Sequence, residues 1–353
     1  MRCQQGRLRK DGSLTLSIPE AGRIRDLALE AGFARAGFVD PNALAGRGEP
    51  TRANADELEW SRVRPQEWKE SASILVCCLS CHRPEPADLS TPDDPHGLIA
   101  PFARRNFYKT ANRKMRLVLT RLEDELGIPR KTVRIFCNSR MPEKPLCVAA
   151  GLAWPGTNGL CIAPGLGSLF VIAGAVIPRA FPDASARAEP PVENHCGSCR
   201  RCIQACPTGA IVAPGCVDRS RCLQGMAADP CVLDSDVMEK WGTRLYGCQD
   251  CQSVCPHNRD LREETPAAVG EIGPSISLRW FLTLDSRRVA ELFHGTAMGL
   301  SWISKEALVR NALVAAGNSR ARALRECVAP FVKSASPVLS AAASWALERM
   351  TGA

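Results

Sequence analysis

The stretch CGSCRRCIQACPTGAI, residues 196–211, places four cysteines within eleven residues. Cys196, Cys199, Cys202 and Cys206, the last followed by Pro207, have the spacing C-x2-C-x2-C-x3-C-P. In that run three thiolates hold one 4Fe-4S cluster, and the fourth reaches across to a second cluster. The first cluster is then one thiolate short. CQDCQSVCP, residues 248–256, supplies Cys248, Cys251 and Cys255 in the same run with its first cysteine absent, Leu245 standing in its place. By the same crossed pattern Cys255 joins Cys196, Cys199 and Cys202, while Cys206, Cys248 and Cys251 need one further ligand. Cys216, Cys222 and Cys231 are the candidates. Thiolates select iron–sulfur or zinc over harder metals. Paired zinc ribbons are the plainer reading, but zinc knuckles do not need the x3-C-P extension. Arg200 and Arg201 would raise the reduction potential if they lie beside the thiolates.

The chain around these runs has 353 residues, 45% apolar and 23% charged, enough for two or three soluble domains with real cores. It has no run of eighteen apolar residues, and MRCQQGRLRKDGSLTLSIPEAG at its start has no apolar run of signal-peptide length. A cytoplasmic protein without membrane contact is expected. In that compartment eighteen cysteines point to metal or redox chemistry rather than disulfides. CLSCH, with Cys78, Cys81 and His82, matches the haem c attachment pattern, but that chemistry belongs outside the cytoplasm. These thiols read more simply as small buried hydrophobes at the end of a strand. Cys3, Cys137, Cys147, Cys161 and Cys327 have no ligand spacing and read as structural.

The net charge of +8 is concentrated. Residues 101–145 hold twelve Lys or Arg against four acids, which accounts for the whole excess. An anionic partner could dock there, although a solvated helix face with its loops is the plainer reading.

Helix-like and strand-like pieces alternate in the first half. EAGRIRDLALEAGFARAGFVD has helical spacing up to Gly32, SASILVCCLS and SLFVIAGAVI read as strands, and TANRKMRLVLTRLEDELG reads as an amphipathic helix closed by Gly127. The expected organisation is an N-terminal extension over 1–17, an α/β domain over 18–181 and a Pro- and Ala-rich linker over 182–194. A ferredoxin-like double 4Fe-4S domain over 195–258 follows, and then an all-α region over 259–353. Two helices of that last region resemble a HEAT-type pair, too few to stand alone.

With the cysteine runs in view, the chain resembles the epoxyqueuosine reductase family, iron–sulfur and cobalamin enzymes of tRNA modification, from about Ile18 onward. The resemblance rests on CGSCRRCIQACPTGAI, on DRSRC ending at Cys222, on YGCQDCQSVCPHN and on RNALVAAGN. It implies that Cys222 is the missing ligand, so that Cys206, Cys222, Cys248 and Cys251 hold the second cluster. It also implies an external electron donor and tRNA as a partner. KPLCVAAGLAWPGTNGLCIAPGLGSLFVIAGAVI is similar to the family's cobalamin-contacting stretch, which implies cofactor contacts at Gly151, Leu152, Trp154, Gly156 and Asn158 and a cobalamin-binding-like α/β domain. No D-x-H-x-x-G motif occurs, so no histidine ligand to cobalt is expected.

Three departures stand out. FCNSRMPEKPL has Asn138 where the family carries an aspartate thought to be the proton donor, and an amide cannot supply a proton at neutral pH. Either Glu143 or a bound water then takes that role, or the substrate is different. ARRNFYKT has Asn106 for an acid and Tyr108 for a histidine, and GTAMGLSWISKEALVRN lacks an arginine pair that the family carries. The reading is a reductase passing electrons through two 4Fe-4S clusters to a corrin. The alternative is a non-catalytic electron carrier or reductive activator of a corrinoid partner.

Overall fold

The computed structural model of the chain describes residues 20–39, 72–82, 89–181, 192–259, 261 and 271–351, together with the backbone of 7–8 and 14–15. Cys3 and most of the expected linker at 182–194 lie outside the described residues. The architecture is mixed α/β with a helical C-terminal segment, in two compact units. Residues 1–79, 108–154 and 171–193 form the first, and 80–107, 155–170 and 194–353 the second. No described helix is long and apolar enough to cross a membrane.

The first unit is built on a four-stranded sheet in the order Arg35–Val39, Ser73–Ser80, Phe170–Ile177, Arg134–Cys137. Arg35 pairs with Cys78 and Val39 with Ile74, antiparallel, while Arg134 pairs with Val176 at the other edge. SILVCCLS is buried at every position, as an inner strand covered on both faces must be. The fully buried Cys78 thiol lies 3.7 Å from that of Cys147, so both pack as structural thiols.

Helix Glu20–Glu30 buries Ile24, Leu27 and Ala28 and gives way to Gly32 at φ +88°, a conformation open to glycine. Helix Phe107–Leu126 ends likewise at Gly127, φ +64°. Lys114 Nζ donates to the Ala31 carbonyl at 2.7 Å, and Arg121 pairs with Glu125 at 2.6 Å. Arg130 pairs with Glu123, and the buried Arg104 donates to the Ile99 carbonyl at 3.0 Å. Four of the cations in the basic 101–145 stretch therefore serve the protein's own packing.

In the second unit strand His96–Ile99 pairs in parallel with Arg244–Tyr246 and antiparallel with Ser275–Ser277. This pairing explains a difference from the sequence reading, in which 80–107 and 155–170 belong to a contiguous α/β domain. Their partners lie far along the chain, among the cysteine runs and beyond. It also places a short strand, Ser275–Ser277, inside the region expected to be wholly helical.

Helices Lys305–Ser319 and Pro337–Thr351 pack together over a core that includes Trp241, Phe281, Phe293, Leu308 and Leu313. Each such large apolar side chain contributes about 1.5–3 kcal/mol on burial. Leu245, which stands in for the absent cysteine of the second run, is fully buried in this same core. An apolar side chain is what that position requires.

Candidate metal centre

The first thiol run turns tightly. Asn194 Oδ1 accepts from the Cys196 N–H at 2.9 Å, and the Cys199 N–H returns to the Cys196 carbonyl at 2.9 Å. Helix Arg201–Ala205 then carries the buried Cys202 inward. Cys196, Cys199, Cys202 and Cys255 line one cavity, so the last thiol of the second run lies with the first three of the first run. Burial lifts Cys202 and Cys255 above the ordinary thiol range, and each also feels Cys196 and Cys199. Arg201 lines the same cavity, whereas Arg200 donates to the carbonyls of Gly197 and Cys199 at 3.3 and 3.0 Å.

The remaining thiols gather around Cys251. Burial pushes Cys251 up to about 12, and Cys248, Cys222, Cys202 and Cys206 add to the shift. Cys248 is likewise raised by burial and feels Cys222. Cys206 differs: burial works to raise it, but the Ala210 N–H at 3.2 Å and the Thr208 hydroxyl outweigh burial and leave it below its ordinary value. Of the three candidates for the eighth ligand, Cys222 is the one that acts on Cys248 and Cys251. Asp218 holds it there, its carbonyl accepting from the Cys222 N–H at 3.1 Å and its carboxylate from the Ser220 N–H and hydroxyl at 3.0 and 2.6 Å. Cys231 meets Arg310 instead, and Cys216 sits on the hairpin formed by Ile211–Ala213 and Cys216–Val217.

Buried thiols that repel one another as thiolates need a cationic centre to ionise them. Among the described residues no three His, Cys, Asp or Glu side chains converge on a single ion. In a 4Fe-4S cluster each thiolate faces its own iron, so these thiols fit clusters by donor type.

Residues 155–170 are clasped from both sides by this cysteine framework. The Gly215 N–H donates to the Thr157 carbonyl at 3.0 Å, and Asn194 Nδ2 reaches the Pro155 carbonyl at 3.5 Å. At the other end Asn258 Oδ1 accepts from the Ser168 N–H at 2.8 Å, and Gln252 Nε2 donates to the Ser168 carbonyl at 3.1 Å. Thr157 and Asn158 thereby become walls of the cavity that Cys196, Cys199, Cys202 and Cys255 line. Sequence spacing carries no signal for this contact. Asn158 is 5% exposed; its Oδ1 accepts from the Leu160 N–H at 3.2 Å, while its Nδ2 is buried without a hydrogen-bond partner.

The other residues implied for a corrin are occupied by the fold. Leu152, 1% exposed, packs against Gly37, where a Cβ would come within 3.0 Å of its Cδ2. Gly151 is a turn residue at φ +68°, and Trp154 is buried. These three lie in the first unit, whereas Gly156 and Asn158 lie in the second. A Cβ on Gly156 would meet Ile162, Asn158 and Leu160 within 2.8 Å, so that glycine is required by its own turn.

In the first unit Asn138 is exposed at φ +49°, in the left-handed region that asparagine and aspartate tolerate better than most residues. Glu143, in the first turn of helix Glu143–Ala149, accepts from the Ser139 N–H and hydroxyl at 2.8 and 3.3 Å. Its carboxylate holds the turn that presents Asn138.

Residues 195–258 match the 4Fe-4S double cluster binding domain. The chain is 31% identical over 346 residues to an epoxyqueuosine reductase of Burkholderia pseudomallei, covering 85% of this chain and 81% of that protein. The chain belongs to the epoxyqueuosine reductase family. A Bacillus anthracis epoxyqueuosine reductase is 31% identical over 220 residues, a match spanning 60% of this chain and 55% of that relative's length. The fold matches the crystal structure of an epoxyqueuosine reductase with an epoxyqueuosine-modified tRNA-Tyr stem loop, with a TM-score of 0.78 and 24% identity, over 94% of this chain and 90% of that one. Membership of the epoxyqueuosine reductase family carries with it the double 4Fe-4S cluster domain.

Proposed function

We propose that the chain is an iron–sulfur oxidoreductase that removes the epoxide oxygen of epoxyqueuosine in tRNA. Cys196, Cys199, Cys202 and Cys255 hold one 4Fe-4S cluster, and Cys206, Cys222, Cys248 and Cys251 hold the other. The observation that carries this reading is that Cys255 of the second run lines one cavity with Cys196, Cys199 and Cys202 of the first, in a chain of this family. The deoxygenation converts an epoxide to an alkene and water and consumes two electrons and two protons, so an external donor must reduce the clusters. Clusters, when bound, pass those electrons singly.

The chain's own residues bury the cluster sites, fix the thiols and limit water. The proton path starts at the Asn138 turn, where Glu143 is the ionisable group already engaged with the backbone. Since an amide cannot donate a proton at neutral pH, a water held at this turn completes the path.

Cobalamin joins the proposal through the family resemblance alone, which implies contacts at Gly151, Leu152, Trp154, Gly156 and Asn158. Those residues are largely taken up by the protein's own turns and packing. The ferredoxin-like character of 195–258, the HEAT-like character of the helical tail and a cytoplasmic location belong to the same reading. The excess of positive charge in 101–145 supports an RNA partner, whose binding weakens as salt rises.

The test is tRNA from cells lacking the gene. Epoxyqueuosine accumulates there, and the intact chain restores queuosine. A chain that carries about eight irons yet restores nothing is the electron carrier or corrinoid activator instead.

A further inference from the structure

We propose that Asn158 is a hydrogen-bond donor to the first cluster, and that the turn at 156–160 sets the reduction potential of that cluster apart from the second. The inference rests on the double-cluster reading and deepens it.

The turn is rigid for reasons visible in its bonds. The Gly156 N–H donates to the Leu160 carbonyl at 2.7 Å and the Gly159 N–H to the Gly156 carbonyl at 2.9 Å. Gly159, at φ +74°, lies so close to the 211–217 hairpin that a Cβ would meet Val217 at 2.8 Å. Asn158 spends its oxygen on this turn, through the Leu160 N–H. Its nitrogen is left buried and unpartnered in a residue that lines the cavity of Cys196, Cys199, Cys202 and Cys255. An unpaired buried donor is costly, and a hydrogen bond to a cluster sulfide or thiolate removes that cost.

Reduction adds a negative charge to the cluster, and a fixed N–H dipole aimed at its sulfur favours the reduced form. The second set of thiols has no counterpart from this turn. Asn158 therefore raises the potential of the first cluster and leaves that of the second untouched.

The test is an anaerobic redox titration of the whole reconstituted chain, followed by the paramagnetic resonance of each reduced cluster, with Asn158→Leu and Asn158→Asp beside the parent. Cys255→Ser identifies the first cluster's signal. The midpoint of the first cluster is expected to fall in Asn158→Leu and further in Asn158→Asp, where a carboxylate faces the sulfur. The second midpoint and the iron content stay as in the parent. Unmoved midpoints at full iron content overturn the inference, as does an equal shift in both clusters. So does lower cobalamin affinity with both midpoints in place.

Should a variant fail to assemble, the parent protein decides. With asparagine labelled by 15N at its side-chain amide, the reduced first cluster shows a nitrogen coupling if Nδ2 donates to it, and absence of coupling overturns the inference. Absence of iron from the parent refutes the cluster reading itself, a separate failure.

Discussion

Arg310 Nη1 donates to the Cys231 thiol at 3.2 Å and, from the same nitrogen, to the carbonyls of Asp229 and Cys231 at 3.0 and 2.9 Å. Nη2 adds the Met226 carbonyl at 2.8 Å, and the guanidinium lies 5.2 Å from the Trp241 ring centre. The side chain is 1% exposed, and burial lowers its pKa while Cys231 opposes the shift. A buried cation is held here by backbone carbonyls, a thiol and a ring face, arranged around the loop that follows Cys222.

Arg310→Met leaves three part-buried carbonyls without their donor. At about 1–3 kcal/mol each, partly recovered by relaxation, a loss on the order of 3 kcal/mol is expected. Arg310→Lys recovers little, because an ammonium cannot span the fork. Anaerobic urea denaturation measures the loss, and iron analysis should show the second cluster depleted before the first. A midpoint equal to the parent's removes this account of the arginine.

Asn138→Asp fits the backbone, since aspartate also tolerates a positive φ. Stability should change little, whereas epoxyqueuosine reduction should rise because a proton donor returns to the turn. Asn138→Val, by contrast, should cost about 1–2 kcal/mol. Product analysis of epoxyqueuosine tRNA tests the first claim, and no gain with Asn138→Asp shows that the proton comes from elsewhere.

Cys137 supplies a pH dependence away from the clusters. Burial, with Glu143 adding its charge, pushes this thiol up to about 12 from an ordinary 9.0. The unfolded chain ionises it first, so the stability it contributes is complete below about pH 9 and is lost as the pH rises toward 12. Thermal midpoints of the parent should fall across that window, and those of Cys137→Ser should fall less steeply. Parallel slopes would show that other groups control alkaline unfolding.

Gly167→Ala probes the clasp on residues 155–170. Gly167 sits at φ +55°, and a Cβ would strike the Asn258 side chain and come within 2.6 Å of the His257 carbonyl. Backbone strain and overpacking together should cost about 2–4 kcal/mol. Because Asn258 follows Cys255 closely, iron should be lost from the first cluster preferentially. Undiminished iron together with parental stability contradicts the clasp.

Cys255→Ser and Cys222→Ser separate the crossed ligand sets. Each should lower the iron content from about eight toward about four, the first sparing the signal of the second cluster and the second the reverse. Matching signals in the two variants would mean the thiols are shared differently.

The cysteine runs were readable because cluster ligation fixes their spacing, and the crossed role of Cys255 follows from that rule alone. The eighth thiol was not: Cys216, Cys222 and Cys231 differ in what they touch, and Cys231 meets Arg310 of a distant helix. Helices Glu20–Glu30 and Phe107–Leu126 and strand Ser73–Ser80 show in local periodicity. Strand His96–Ile99 depends on partners at 244–246 and 275–277, and the walls at Thr157 and Asn158 on Asn194 and Gly215, contacts that no local pattern encodes. Arg310 and Asn311 left one faint mark, two polar residues side by side in the otherwise apolar run ALVRNALVAAG.

Asn311 Nδ2 bridges the carbonyls of Ala227 and Leu245, each at 3.0 Å, and one turn pair further along Asn318 bridges those of Met238 and Gly242 at 2.7 and 3.0 Å. The Lys305–Ser319 helix thus reads the main-chain course of the segment between Cys222 and Cys248 rather than its side chains. A chimera that exchanges this helix with a relative's must import 226–245 along with it.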